Sequence, residues 1–352
     1  MIESLYMSAL IFILLRKEPF ISVQFSLLSE TKIENITMEK REWYAPSANG
    51  DGKIYNCLYR NEKLDQKAVM VIVHGMQSHC GRYLEWTGEL TALGYTVAML
   101  DLQGHGKSQN HSGSFGEKNG WNYLLHDIRR LILKVKKWFP ELPVILFGHS
   151  MGSFLTRAYV TKFPADVDAL ILSGTAGFNY SLYSALGVVT ADMKISGAMA
   201  PADKYGKIIT NLFNRDIIDP VNDAAWCCSI PEICEQHLSD PLGTKFTIGA
   251  YYEMLNGLIS IREDKWAVKV PIIPVYIFSG GADPVGEYGK GPATVYAWLH
   301  GTGHDVSLRI YPGKRHEMIW ESNKREVRDN LYIWLDSKLP KINRLKQALC
   351  ES

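Results

Sequence analysis

Val144-Ile145-Leu146-Phe147-Gly148-His149-Ser150-Met151-Gly152, running on through Ser153 to Lys162, is the stretch that decides the fold. Its first four residues form a continuous apolar run of strand length without alternation, which suits a strand buried on both faces. A helical pattern from Phe154 to Lys162 follows almost at once. Between them Gly148 to Gly152 matches G-x-S-x-G, a sharp strand-to-helix turn in which larger side chains two before and two after the serine would strike neighbouring backbone. Five letters alone describe many ordinary tight turns. In a strand-turn-helix setting they mark Ser150 as a nucleophile, with Gly148, His149 and Gly152 shaping its elbow.

Working outward, Ala68 to Val73, Tyr95 to Leu100 and Ala169 to Leu172 are further apolar runs of the same kind. Helical spacing lies between them: Leu124, Ile128, Leu131, Val135 and Trp138 recur at intervals of four and three, ending before Pro140. After residue 270 the pattern resumes with a strand from Ile272 to Phe278, a helix near Thr294 to Leu299, a strand from Val306 to Tyr311 and a last helix carrying Val327, Leu331, Trp334 and Leu335 on one face. Asn323 and Glu326 are placed to cap that helix. Upstream, two extended runs between Glu42 and Arg60 flank the turn Asn49-Gly50-Asp51-Gly52 and read as a hairpin. Strand and helix alternate, so the expected fold is α/β: a mostly parallel, doubly wound sheet with an N-terminal β-hairpin. From 178 to 266 the alternation lapses into short apolar and aromatic helical patterns, read as a helical insertion. The domain plan is an extension over 1–37, a core over 38–177 and 267–340, a lid over 178–266 and a tail over 341–352.

A serine hydroxyl needs a base to take its proton, and that base needs a carboxylate to fix its tautomer. Around this elbow the order along the chain is serine, acid, histidine, each past the carboxyl end of a strand. His237 lies in the insertion, His300 ends a helix and His304 precedes a strand. His316 alone of those after Ser150 follows a strand's carboxyl end. The same test selects Asp283, in Ser279-Gly280-Gly281-Ala282-Asp283-Pro284, over Asp305, which enters a strand. The oxyanion of a tetrahedral intermediate needs two N–H donors, one after the nucleophile and one after the first parallel strand. Met151 supplies the first; His74-Gly75-Met76 should supply the second from Met76, with His74 bonding within the loop. Asp101 to Ser108 contains no phosphate-binding G-x-x-x-x-G-K-[ST] and reads as loop architecture.

The chain of 352 residues carries 38 Lys and Arg against 37 Asp and Glu, which leaves no charge excess to hold a nucleic acid. Six scattered cysteines follow no disulfide framework and no paired metal-site spacing, pointing to a reducing, cytoplasmic compartment. Cys227, Cys228 and Cys234, even with His237, offer no spaced ligand set, so no metal is expected. Leu5 to Leu15 is apolar but too short to span a bilayer, and its basic residues, Arg16 and Lys17, come after it rather than before as in a secretory signal. Residues 1 to 37 are therefore expected to be an optional extension, with a membrane-surface anchor as the functional alternative.

With these residues assembled, the chain from about Trp43 to Leu339 resembles the monoacylglycerol lipase and lysophospholipase-like branch of the α/β hydrolases, grouped with serine aminopeptidases. The resemblance is carried by His74-Gly75 with Gly81-Arg82-Tyr83, Asp101 to Ser108, Gly148 to Gly152, Asp240 to Gly243, Gly281 to Gly286 and Arg315-His316-Glu317. It implies an esterase or lipase acting on carboxylic esters, with a lid over the acyl pocket and no cofactor; the expected partner is a small-molecule acyl ester of monoacylglycerol or lysophospholipid type, and peripheral membrane contact through the lid or N-terminus is a separate expectation. One departure is that Met76-Gln77-Ser78-His79 lacks the second glycine and the glutamate usual after the first histidine in monoacylglycerol lipases. An aminopeptidase or amidase on the same triad would need lid carboxylates for a substrate ammonium, for which Asp203, Asp216 and Asp219 are the candidates. A non-catalytic ligand-binding protein of this fold should have lost part of its triad or oxyanion loop, and this chain keeps both.

Overall fold

The computed structural model describes residues 38–177, 179–262 and 264–351; the expectations for residues 1–37 lie outside them. Eight strands, β1 (Glu39–Pro46), β2 (Lys53–Arg60), β3 (Ala68–Val73), β4 (Tyr95–Leu100), β5 (Val144–His149), β6 (Ala169–Ser173), β7 (Val275–Gly280) and β8 (Val306–Tyr311), form one sheet in the order β1-β2-β4-β3-β5-β6-β7-β8. The first two make the expected hairpin, Tyr44 opposite Tyr55, and β2 joins β4 antiparallel. From β4 onward all pairings are parallel. The strand expected from Ile272 begins only at Val275. Pro271 and Pro274 lack the N–H that a ladder needs, and Ile272 is left exposed.

Alternation along the central strands divides the apolar interior into two. Val69, Val71 and Val73 pack with Leu124, Ile128 and Leu131 of α2 (Gly120–Trp138) and Leu155 of α3 (Met151–Lys162). Ala68, Met70 and Ile72 face the other way, toward Trp86 and Leu90 of α1 (Leu84–Ala92) and Val327, Leu331 and Leu335 of the final helix. This is why those strands read as continuous apolar runs: both faces are covered, and each fully buried Val or Leu contributes roughly 1.5–3 kcal/mol.

The described residues within 178–266 form the helices α4 (Ser181–Ser196), α5 (Asp203–Asn214), α6 (Pro231–Ser239) and α7 (Ile248–Ser260), then the short α8 (Asp264–Ala267), joined by irregular segments. These helices differ in attachment. Ala250, Tyr251 and Leu255 of α7 are buried in the cluster that contains α2 and α3, whereas α5 has no buried residue. Helix α9 (Lys290–Gly301) precedes β8. The last helix, α10, runs from Lys324 to Glu351, so the separate tail expected over 341–352 is in fact helix to Glu351. Pro340 does not stop it, because Leu339 and Ile342 on either side are both buried against the sheet's second face. Asn323 does not cap α10 as expected: its side-chain amide donates to the Glu326 carboxylate rather than receiving a backbone N–H.

Candidate active site

The elbow is built by crowding. A methyl group on Gly148 would lie 2.4 Å from Gly152 O, and one on Gly152 would lie 2.1 Å from Val73 O. Only glycines let β3, β5 and α3 approach this closely. Ser150 sits between them at φ 54° and ψ −125°, a backbone state that costs a non-glycine residue on the order of 1–3 kcal/mol and occurs mostly at functional sites. Its N–H donates to Ser173 O at 2.9 Å and its carbonyl accepts from Ser153 N at 2.8 Å, so the surroundings enforce the turn.

Asp283 and His316, on the loops after β7 and β8, meet across the sheet edge. His316 Nδ1 donates to Asp283 Oδ2 at 2.9 Å, and both side chains are buried. Ser279 Oγ donates to the same Asp283 oxygen at 2.9 Å, while Val285 N–H donates to the other at 2.9 Å. Burial would push the Asp283 carboxyl up, but the His316 charge and hydrogen bond with these donors hold it below its ordinary value. For His316 burial works downward; the Asp283 charge and hydrogen bond, with Glu317, overcome it and raise its pKa. With Nδ1 carrying the proton, Nε2 is the basic nitrogen, and it has no hydrogen-bond partner among the described residues. Ser150 and His316 line one pocket; Ser150 Oγ is not bonded to Nε2 in this conformation, a gap common before substrate binds.

Gly75 passes so near the elbow that a methyl on it would come within 3.0 Å of Ser150 Cβ. The following Met76 lines the pocket, and no backbone carbonyl among the described residues accepts from its N–H. Met151 opens α3, where helix N–H groups have no partner within the helix. His74 accepts from Leu102 N–H at Nε2, 3.0 Å, and its Nδ1 pairs with Gly75 O at 2.8 Å. Asp101 braces the same region, accepting from Cys80 and Lys107 N–H groups.

The pocket is completed by Gln77, Ser78, His149, Trp226, His237 and Glu317. His237, set aside on sequence because it lies in the insertion, is brought to the site; burial pushes its pKa down to about 4, and Arg82 donates to its Nδ1. Trp226 packs its ring 5.3 Å from that of His316. The insertion also grips the histidine loop: Arg315 Nη1 donates to Ala225 O and Cys228 O at 2.7 and 2.9 Å, and Glu317 N–H to Cys227 O at 2.7 Å. No sequence period points to Arg82, Trp226 or Glu317, because their proximity arises from elements far apart in the chain.

Of the three carboxylates of the insertion, Asp203 pairs with Lys245 at 2.9 Å and Asp216 with Arg215 and Tyr288, while Asp219 is exposed. None of the three lines the pocket described here. Cys57, Cys80, Cys227, Cys228 and Cys234 are free, buried thiols.

The family model described as "Serine aminopeptidase, S33" matches residues 65–323. A monoacylglycerol lipase of Mycolicibacterium smegmatis is 27% identical over 277 residues, 78% of this chain and 90% of that one. A phospholipase of Bacillus subtilis is 25% identical over 269 residues, 74% and 92% of the two chains. Among solved structures, a thermostable carboxyl esterase from Bacillus coagulans, in complex with glycerol, superposes with a TM-score of 0.78 at 32% identity, covering 87% of this chain and 100% of that one. With an eight-stranded, mostly parallel sheet, a strained serine at its central elbow and a match across most of its length, the chain belongs to the serine aminopeptidase S33 family of α/β hydrolases, in the branch that includes the monoglyceride lipases.

Proposed function

We propose that the protein hydrolyses monoacylglycerol- or lysophospholipid-like acyl esters through an acyl-enzyme formed on Ser150. The chain is a carboxylic ester hydrolase of the lipase type. The observation that carries the finer reading is the buried Asp283–His316 pair with its unpartnered Nε2, in the pocket that Ser150 lines. In this cycle His316 Nε2 takes the Ser150 proton as Oγ attacks the ester carbonyl. The Met76 and Met151 N–H groups receive the oxyanion, and the leaving alcohol takes the proton back. Water then repeats the sequence and releases the acid. Asp283 stays ionised throughout and offsets the imidazolium charge.

Amphiphilic substrate fits the outer face of the insertion. Ile195, Ile208, Leu212, Ile218 and Val221 are all exposed, giving α4, α5 and the segment beyond them an apolar exterior for contact with a lipid surface. No helix among the described residues is long and apolar enough to cross a membrane. Ser150→Ala is expected to abolish both p-nitrophenyl acyl ester turnover and fluorophosphonate labelling. Unchanged turnover would overturn the assignment. A panel of one acyl chain on glycerol, glycerophosphocholine and short alcohols then ranks the headgroups.

A further inference from the structure

Glu317 is a carboxylate buried beside the site, and the triad gives it no part. Its Oε1 faces the Arg82 guanidinium at 3.7 Å and its Oε2 faces His149 Nε2 at 3.8 Å. Both separations exceed a hydrogen bond, and Oε2 has no hydrogen-bond partner among the described residues. Burial would raise its carboxyl pKa, but the Arg82 guanidinium above all reverses this and holds it well below the usual carboxylate range. An ion pair serving stability alone would close to direct contact, because a loosely matched buried charge costs more than it returns. The Glu317 main chain is itself tied to the insertion, its N–H donating to Cys227 O.

His149 connects this carboxylate to the base. Its ring lies 4.7 Å from the His316 ring, tilted by 41°, and its Nδ1 pairs with Ser173 Oγ at 3.1 Å. We propose that Glu317 is a positioning residue of the proton-transfer step: acting across His149, it supplies a second negative charge that favours His316 while the histidine holds the serine's proton. Arg82 keeps that charge ionised. The proton moves only from Ser150 Oγ to His316 Nε2 and onward to the leaving group; Glu317 takes none. The charged and titratable groups around His316 are Asp283 from the loop after β7, His149 from the end of β5, Glu317 on its own loop and His237 from α6. Burial, the largest influence on His149 and His237, lowers their pKa values and favours their neutral forms, so the two carboxylates dominate. This inference rests on the triad reading above.

The test is Glu317→Gln, which keeps the shape and removes the charge. Expected are a kcat for p-nitrophenyl butyrate reduced about tenfold, KM within about twofold, and an acid limb of the kcat/KM profile moved down by roughly half to one pH unit. Glu317→Asp should recover part of both changes. Because Gln leaves Arg82 unpaired, the double variant Arg82→Gln/Glu317→Gln is measured beside it and should move the limb in the same direction. A purely structural role lowers the fraction titrated by fluorophosphonate but leaves the limb in place. Acid limbs superimposable on wild type in both variants would overturn the proposal, while loss of Ser150 dependence would overturn the triad instead.

Discussion

His316 can accept a proton only as a neutral imidazole, and its neighbours decide the pH at which it becomes one. Its pKa is raised above the ordinary 6.5 because the buried Asp283 carboxylate favours the cation more than burial opposes it. A base with a raised pKa becomes neutral at a higher pH, so kcat/KM should climb through a midpoint above 6.5. Asp283→Asn removes the charge and the tautomer control together. It should move that midpoint down and cut kcat on the order of 10⁴-fold, with circular dichroism confirming an intact fold. The proposed triad of Ser150, Asp283 and His316 could be drawn from sequence because each lies past the carboxyl end of a strand, and a strand's end is a position a sequence can specify. Glu317 could not, although its neighbour His316 was already marked. Its significance comes from Arg82 and His149, which the chain brings in from other elements.

The nucleophile elbow is the element on which the site depends, and its tolerance is steric. In Gly152→Ala the added methyl would meet Val73 O at 2.1 Å. That contact is with backbone in the central sheet, which cannot move aside as a flexible side chain would. The expected outcome is a destabilisation of about 1–3 kcal/mol or more, read as a lower Tm, together with loss of fluorophosphonate labelling. Turn, strand and glycine spacing were all legible here because they are local. The insertion was legible only as helical. The division between α7, packed in the core, and α5, with no buried residue, follows from which helix faces meet the sheet's own helices. Pro271 and Pro274 similarly shortened β7, and packing of Leu339 and Ile342 carried α10 past Pro340.

At the scale of the whole molecule the near-zero charge balance argues against long-range attraction to anionic surfaces, so the lipid contact proposed for the insertion would rest on apolar area. Replacing Ile195, Ile208 and Leu212 together with Ser should leave turnover of a water-soluble p-nitrophenyl ester within about twofold. It should lower turnover of a monoacyl ester presented in vesicles several-fold, since each exposed apolar side chain is worth on the order of 1 kcal/mol at an interface. Vesicle co-sedimentation should fall in parallel. Equal losses on both substrates would point instead to damage within the pocket.

By itself the sequence determined the doubly wound sheet, its opening hairpin and the sharp turn at Ser150, and it supplied the proposed chain order of serine, acid and histidine. Those features are written in periodicity, turn chemistry and position along strands, all of which act over short distances. The tertiary structure alone decided that Trp226 packs near the His316 ring, that His237 enters the pocket as a hydrogen-bond acceptor from Arg82, and that Glu317 faces both Arg82 and His149. These contacts join segments whose separation along the chain carries no periodic signal, and they exist because the folded sheet brings loop ends to one edge while the insertion closes over them.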